Sequence, residues 1–165
     1  MADVNRQDVF ASRLAAAGWL LPEAPRPRGS YAPFHRAASE GADLVCISGQ
    51  ASRHDGAPIV GVCEPGMDLD AARAASAQAA LSGLAALRQA CDGDLGRVRG
   101  ILQLRGYLRS EPDFGEHSAV LDGASKVLEI AFPDMRRPAR SAVGVTSLPG
   151  RCWAEVEIIA LVENS

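Results

Sequence analysis

Aromatic side chains are scarce in this chain: four Phe, two Tyr and two Trp among 165 residues. They are not interleaved with basic residues, so the stacking platform that a single-stranded nucleic acid needs is missing. A basic surplus is missing too. The formal net charge is −3, whereas a nucleic-acid-binding domain usually shows a positive patch or stripe. No apolar run approaches the roughly 20 residues that span a bilayer. The opening stretch, MADVNRQDVFASRL, carries an early acid and no uninterrupted apolar segment, so a signal peptide is not expected. These absences lead to an expected cytoplasmic location, with neither nucleic acid nor membrane as partner.

Metal-ligand spacing is also lacking. Cys46, Cys63, Cys91 and Cys152 lie far apart, with no CxxC and no Cys/His pattern, so no metal site is expected. Free Cys packs as a small hydrophobe, and buried thiols are the simplest reading. His35, His54 and His117 form no motif. Repeats and low-complexity tracts do not occur.

What is present suits a single domain over 1–165 with one core. Phe10, Leu14 and Ala17 recur at helical spacing and predict a packed N-terminal helix over Val9–Ala17. LPEAPRPRGS, residues 21–30, holds three prolines and reads as an extended connector. Tyr31–Ala38 is a weak strand candidate and Asp43–Ser48 a strong one, ending at Gly49. Gln50–Met67 reads mostly as loop, with a short strand near Ile59–Val62.

Leu69–Cys91 carries an apolar stripe in an alanine-rich background, which predicts a long helix. Arg97–Arg109 alternates along its whole length. Val98, Gly100, Leu102, Leu104, Gly106 and Leu108 fall on one face; Ile101 falls on the other with the arginines. A second helix is expected over Asp113–Phe132, stopped by Pro133. Strands at Ser141–Thr146 and Cys152–Val162 flank Leu148-Pro149-Gly150, so a hairpin is the simplest connection. Two long helices on one face of a mixed sheet, plus the N-terminal helix, make an α+β two-layer sandwich. Its uncovered face calls for burial in a symmetric oligomer.

Four stretches, in order, resemble one family. Gly29-Ser30-Tyr31 is similar to a Gly-Pro-Tyr, and Ser48-Gly49-Gln50 matches a Ser-Gly-Gln. Pro138-Ala139-Arg140-Ser141 matches a Pro-Ala-Arg-Ser, and Ala154-Glu155-Val156-Glu157 is similar to a C-terminal x-Glu-x-Glu strand. Over residues 29–162 the chain resembles the YjgF/RidA (endoribonuclease L-PSP-like) proteins, with 1–28 as an extension. It departs from their common pattern at Ser30, at Ala142 where many have cysteine, and in a long helix without the usual asparagine.

The resemblance implies a chorismate-mutase-like fold and a homotrimer with clefts between subunits. It also implies a cofactor-free deaminase that hydrolyses 2-imino or enamino acids to 2-keto acids and ammonia. By the same carry-over, Arg140 holds the substrate carboxylate, Glu155 positions the attacking water, and Tyr31, Ser48 and Gly49 line the cleft. The residue types suit those tasks. A guanidinium grips a carboxylate bidentately, and a carboxylate can act as general base. Taken alone, Glu155 is an ordinary solvated strand residue, and Glu157 shares its face as a substitute or helper. A hairpin closing near Pro149 would set Arg140 opposite Ile158 or Ile159, on the order of 10 Å from Glu155. That separation favours a site whose parts come from different subunits. Two alternatives stand beside it: a non-catalytic trimer that binds a carboxylate-bearing metabolite, and, more weakly, an endoribonuclease.

Overall fold

The computed structural model describes residues 4–164, and side chains from residue 9 onward. Residues 1–3 and 165, the ends of the expected 1–165 domain and the start of the leader stretch, lie outside the described residues. The elements are α1 (Val4–Ala16), β1 (Phe34–Ala37), β2 (Ala42–Ala51), β3 (Arg53–His54), β4 (Ala57–Pro58) and α2 (Asp70–Ala90). They continue as β5 (Val98–Arg109), α3 (His117–Ala131), β6 (Ala139–Val145) and β7 (Ala154–Glu163).

Helices α2 and α3 cover one face of a five-stranded sheet of order β1-β2-β7-β5-β6. This is an α+β sandwich. The expected hairpin between the last two strands does not form. β6 pairs in parallel with β5, and β7 lies between β2 and β5, antiparallel to both. The reason lies in the strands themselves. Ala154, Val156, Ile158, Ala160 and Val162 are all at most 1% exposed, so β7 is a central strand with a buried apolar row. β6 has no such row and takes the edge, reached from β5 through the crossover helix α3. Arg140 therefore lies opposite Leu104, with Ile158 one strand further on.

The alternation of β5 also breaks. The β5–β7 register shifts between Val98 and Gly100 and again between Ile101 and Gln103. Each shift inserts a residue and reverses the facing. Ile101 consequently joins the core at 5% exposure, while Leu102 turns outward at 43%. The strand expected at Ile59–Val62 is reduced to a single bridge, Val60 to Cys152. The loop before it instead holds the two-residue strands β3 and β4. β1 is limited to Phe34–Ala37, and α3 begins at His117 rather than Asp113.

Helix α1 docks rather than floats. Leu14 is fully buried in the main core, and Phe10 lies 5.3 Å from the ring of Phe132. The two sheet-covering helices approach closely at Gly123. A Cβ there would fall 2.1 Å from the Arg73 carbonyl oxygen, and Ser76 Oγ donates to the Val120 carbonyl across the same contact (2.8 Å). Cys63, Cys91 and Cys152 are buried free thiols, and Cys46 is half-buried. Among the described residues, no helix is long and apolar enough to cross a membrane.

The Gly123 contact is testable. Alanine normally favours a helix interior over glycine by about 1 kcal/mol. Here the new methyl meets backbone, which cannot rotate away, so Gly123→Ala is expected to destabilise the fold by about 1–3 kcal/mol. Urea unfolding measures the difference; a stabilised variant would show that the helices separate at little cost.

Candidate functional site

The site begins where β1 ends. Phe34 pairs with Ile47, and beyond that point β2 continues as an uncovered edge. The β2–β7 register shifts between Ile47 and Gln50, a bulge that contains Ser48 and Gly49. Ser48 clamps the preceding turn onto this edge. Its backbone N–H donates to the Pro33 carbonyl (3.1 Å) and its hydroxyl to the Ala32 carbonyl (2.7 Å). That clamp places Tyr31, whose ring lies over Gly29 and whose hydroxyl accepts from the Arg28 backbone N–H (3.3 Å).

Around this edge is a cavity of about 970 Å³. Tyr31, Ser48, Gly49 and Glu155 all line it, as does Glu157. Four of the five site residues expected from sequence thus meet in one place. Glu155 is set most tightly. A Cβ at position 49 would fall 2.2 Å from Glu155 Oε1, so the carboxylate occupies the space that glycine leaves. Ser48 has its hydroxyl proton committed to Ala32, and it meets a ligand only through its lone pairs.

Glu155 sits at a raised proton affinity. Burial pushes its carboxyl above the ordinary 4.5, the charge of Glu157 adds to this, and Arg53 opposes it. Glu157, two residues along the same strand face, is itself held. Tyr107 Oη donates to Glu157 Oε2 (3.3 Å), and Arg105 Nη1 lies 3.6 Å from the same oxygen. The Tyr107 phenol is correspondingly pushed up, by burial first and then by Glu157.

Arg140, the fifth expected residue, is elsewhere. Its partner Leu104 is fully buried beneath the helices, and Arg140 projects to that same side, against α3. Nη1 donates to Asp122 Oδ1 (2.6 Å) and Ser125 Oγ (3.0 Å); Nη2 donates to Ser118 Oγ (2.6 Å). It lines a separate cavity of about 200 Å³ with an apolar floor that includes Leu128, Phe132 and Met135. Glu155 faces the other side of the sheet. Two strand spacings and three residues separate them, roughly 14 Å of backbone. Within one chain they do not share a site.

Sequence reasoning missed several lining residues. Gln50 is 7% exposed, lines the cavity, and donates from Nε2 to the Ser48 carbonyl (2.8 Å). It stands in the Ser-Gly-Gln motif, which could have found it. Arg28 and Arg53 also line the cavity, and no local signal marks them. Among the described residues, no group of three or more His, Cys, Asp or Glu could hold a metal ion.

The burial of Glu155 predicts a stability effect with a definite sign. A carboxyl whose folded-state proton affinity is raised favours folding below its ordinary value, and that contribution is lost as pH rises through the folded value. Glu155→Gln mimics the protonated form at every pH. It is expected to be more stable than wild type by about 0.5–2 kcal/mol near pH 7, with the gain fading as pH falls through the raised folded-state value and gone below the ordinary one. Urea midpoints across pH test this; a gain independent of pH would remove the charge of Glu155 as its cause.

Comparisons with known proteins agree with this architecture. Residues 11–160 match the family described as "YjgF/chorismate mutase-like, putative endoribonuclease". Protein TCP17 of Trypanosoma cruzi is 35% identical over 93% of this chain and 92% of its own length. The crystal structure of the protein Atu1372 from Agrobacterium tumefaciens superposes with a TM-score of 0.83, at 31% identity over 96% of each chain. The YjgF gene product of E. coli superposes at 0.56 and is 22% identical, covering 84% of this chain and 93% of its own, a likeness of fold alone. With the family match spanning nearly the whole chain, and the bulged Ser-Gly-Gln edge and central Glu-x-Glu strand in place, the protein belongs to the YjgF/chorismate mutase-like family.

Proposed function

We propose that the protein is a deaminase that hydrolyses 2-imino or enamino acids to 2-keto acids and ammonia. It acts in the cytoplasm, in a cleft built by neighbouring copies of the chain in a homotrimer. The observation that carries the reading is Glu155 in the gap over Gly49, half-buried beside Glu157, with Tyr31 on the same cavity. A carboxylate with raised proton affinity is a better base near neutral pH than an ordinary one. It takes a proton from water as the water oxygen bonds to C2. The C=N π electrons move to nitrogen, which is protonated. Collapse of the tetrahedral adduct then forms C=O and expels ammonia. No redox step occurs, and no external group is required.

The substrate carboxylate needs a cation. In this reading Arg140 of an adjacent copy supplies it, because the same chain's Arg140 lies on the other sheet face. The open face of the sheet favours such an assembly. Leu102 and Val143 are 43% and 46% exposed there, and Leu44, Ile159 and Leu161 are only half-covered. The three buried free thiols suit a reducing compartment.

Two inactive variants test this. 2-Iminopropionate is generated in situ with an amino-acid oxidase, and its decay is followed. Glu155→Ala is expected to lower kcat/KM by about 10²–10⁴, and Arg140→Ala to abolish the acceleration. Refolding the two variants together should then restore activity, because a trimer mixed at random rebuilds about one site in four with both groups intact. No recovery, from variants that each still assemble, would place the whole site in one chain. No imine hydrolysis by wild type would leave a carboxylate-binding trimer as the reading.

A further inference from the structure

The proline-rich segment 21–30 is not a passive connector. Pro22, Pro25 and Arg26 to Arg28 line the same cavity as Glu155. The segment therefore brings cations to a site that already holds two carboxylates. Arg28 Nη2 donates to the Gly56 carbonyl (3.0 Å), and Arg53 Nη1 reaches the same oxygen (3.4 Å). Two guanidinium groups thus converge on one neutral acceptor at the cavity rim.

The rim is shaped for them. Gly56 has φ +79° at the β3–β4 turn, and a Cβ there would lie 3.8 Å from Arg28 Nη2. Gly150 has φ +65°, and a Cβ there would come 3.0 Å from Arg53 Nη2. Both turns adopt the left-handed conformation that favours glycine, and each presents bare backbone to a guanidinium. Arg53 is half-buried and near enough to Glu155 for its charge to lower that group's proton affinity.

Neither arginine has a carboxylate within ion-pair distance among the described residues, and the same holds for Arg26. Most other arginines near the sheet are paired, Arg105 with Glu157 and Arg140 with Asp122. Two further acids line this cavity, Glu23 and Asp55. Glu23 is exposed, and Asp55 is 94% exposed with His54 Nε2 as its neighbour at 3.6 Å, so neither neutralises the rim. Two convergent guanidinium groups bound only to a carbonyl are poised to take an anion.

We propose that Arg28 and Arg53 form a second anion-receiving position, so that the cavity takes a substrate bearing a second carboxylate: a 2-imino dicarboxylic acid. This rests on the deaminase reading, in which Arg140 of a neighbouring copy already holds the carboxylate next to C2. The second carboxylate, carried on the substrate's side chain, then falls to the rim. The chemistry is unchanged: water adds at C2, ammonia leaves, and the product is a 2-keto dicarboxylate.

Binding of stable product acids tests this without turnover. 2-Oxoglutarate and 2-oxopentanoate have the same number of carbons and differ in the terminal carboxylate. Calorimetry on the full-length protein should show 2-oxoglutarate binding at least about tenfold tighter, the worth of one charge-assisted pair. In the Arg28→Met, Arg53→Met double variant that preference should collapse towards one, and Arg53→Lys should retain part of it. Equal affinities in wild type, no binding of either acid, or an unchanged preference in the double variant would each overturn the proposal. The imines made in situ from glutamate and norvaline separate the two claims. A dicarboxylate binding preference without hydrolysis of either imine sinks the deaminase reading alone. Hydrolysis of both with no preference in binding or rate sinks the second anion position alone.

Discussion

Glu155 can stand where it does only because position 49 has no side chain. That one clearance organises the site. The bulge that holds Ser48 and Gly49 lies exactly one strand from Glu155, since β2 and β7 are neighbours. The pairing of β7 with β2 therefore places the carboxylate as well as packing the sheet. In β7 the buried row of Ala154, Val156, Ile158, Ala160 and Val162 enforces the central position. The intervening residues, Glu155 and Glu157 among them, are then turned to the open face. A one-residue slip would bury both carboxylates under α2 and expose the row. Hydrophobic register thus holds the acid pair more firmly than any polar contact.

Glu157 shows how the pair is tolerated. Two carboxylates on alternate residues of one strand repel. Tyr107 and Arg105, from the adjacent strand β5, both contact Glu157 Oε2. Among the described residues Glu155 has no such partner at hydrogen-bond distance, and burial, with the charge of Glu157, raises its proton affinity. The two carboxyls thus differ in their surroundings: Glu157 is contacted by a phenol and a guanidinium, and Glu155 is buried over Gly49.

Much of this was legible in the residues because it depends on local pattern. The 3.6-residue stripe from Ala77 to Leu87 made α2 plain, and the motif positions Tyr31, Ser48, Gly49 and Glu155 meet at one cavity. What was not legible depends on competition between strands. Leu148-Pro149-Gly150 carries every local mark of a hairpin turn, yet the connection crosses to a non-adjacent strand, because β7 wins the sheet centre by its apolar row. The bulges in β5 leave no signal that distinguishes Ile101 from Leu102, two aliphatic residues of which one is core and one exposed. Arg28 and Arg53 were invisible as site residues for a related reason. Their placement follows from where the proline-rich segment docks, and docking is a property of the surface it meets. The opposite facing of Arg140 likewise could not be read before β6 was known to be parallel to β5.

The pairing of Arg140 with Asp122 bears on how an assembled cleft would work. At first sight a neutralised guanidinium is a poor ligand for a substrate carboxylate. The acceptors argue otherwise. Asp122 is 63% exposed, and exposed ion pairs are worth about 0–1 kcal/mol. Replacing Asp122 by a substrate carboxylate therefore costs little. Ser118 and Ser125 remain bonded to the same guanidinium and fix its plane. The arginine is held in orientation by neutral hydroxyls, while its charge is only loosely occupied. A residue arranged in that way is pre-ordered before a ligand arrives, so less conformational entropy is lost on binding. The same logic separates the two arginine sets in this chain. Arg140 is oriented by a helix and already bonded to a carboxylate, whereas Arg28 and Arg53 rest on a backbone carbonyl. In the proposed cleft, binding at the rim would release no competing anion, so the rim, rather than Arg140, would set the preference between mono- and dicarboxylates.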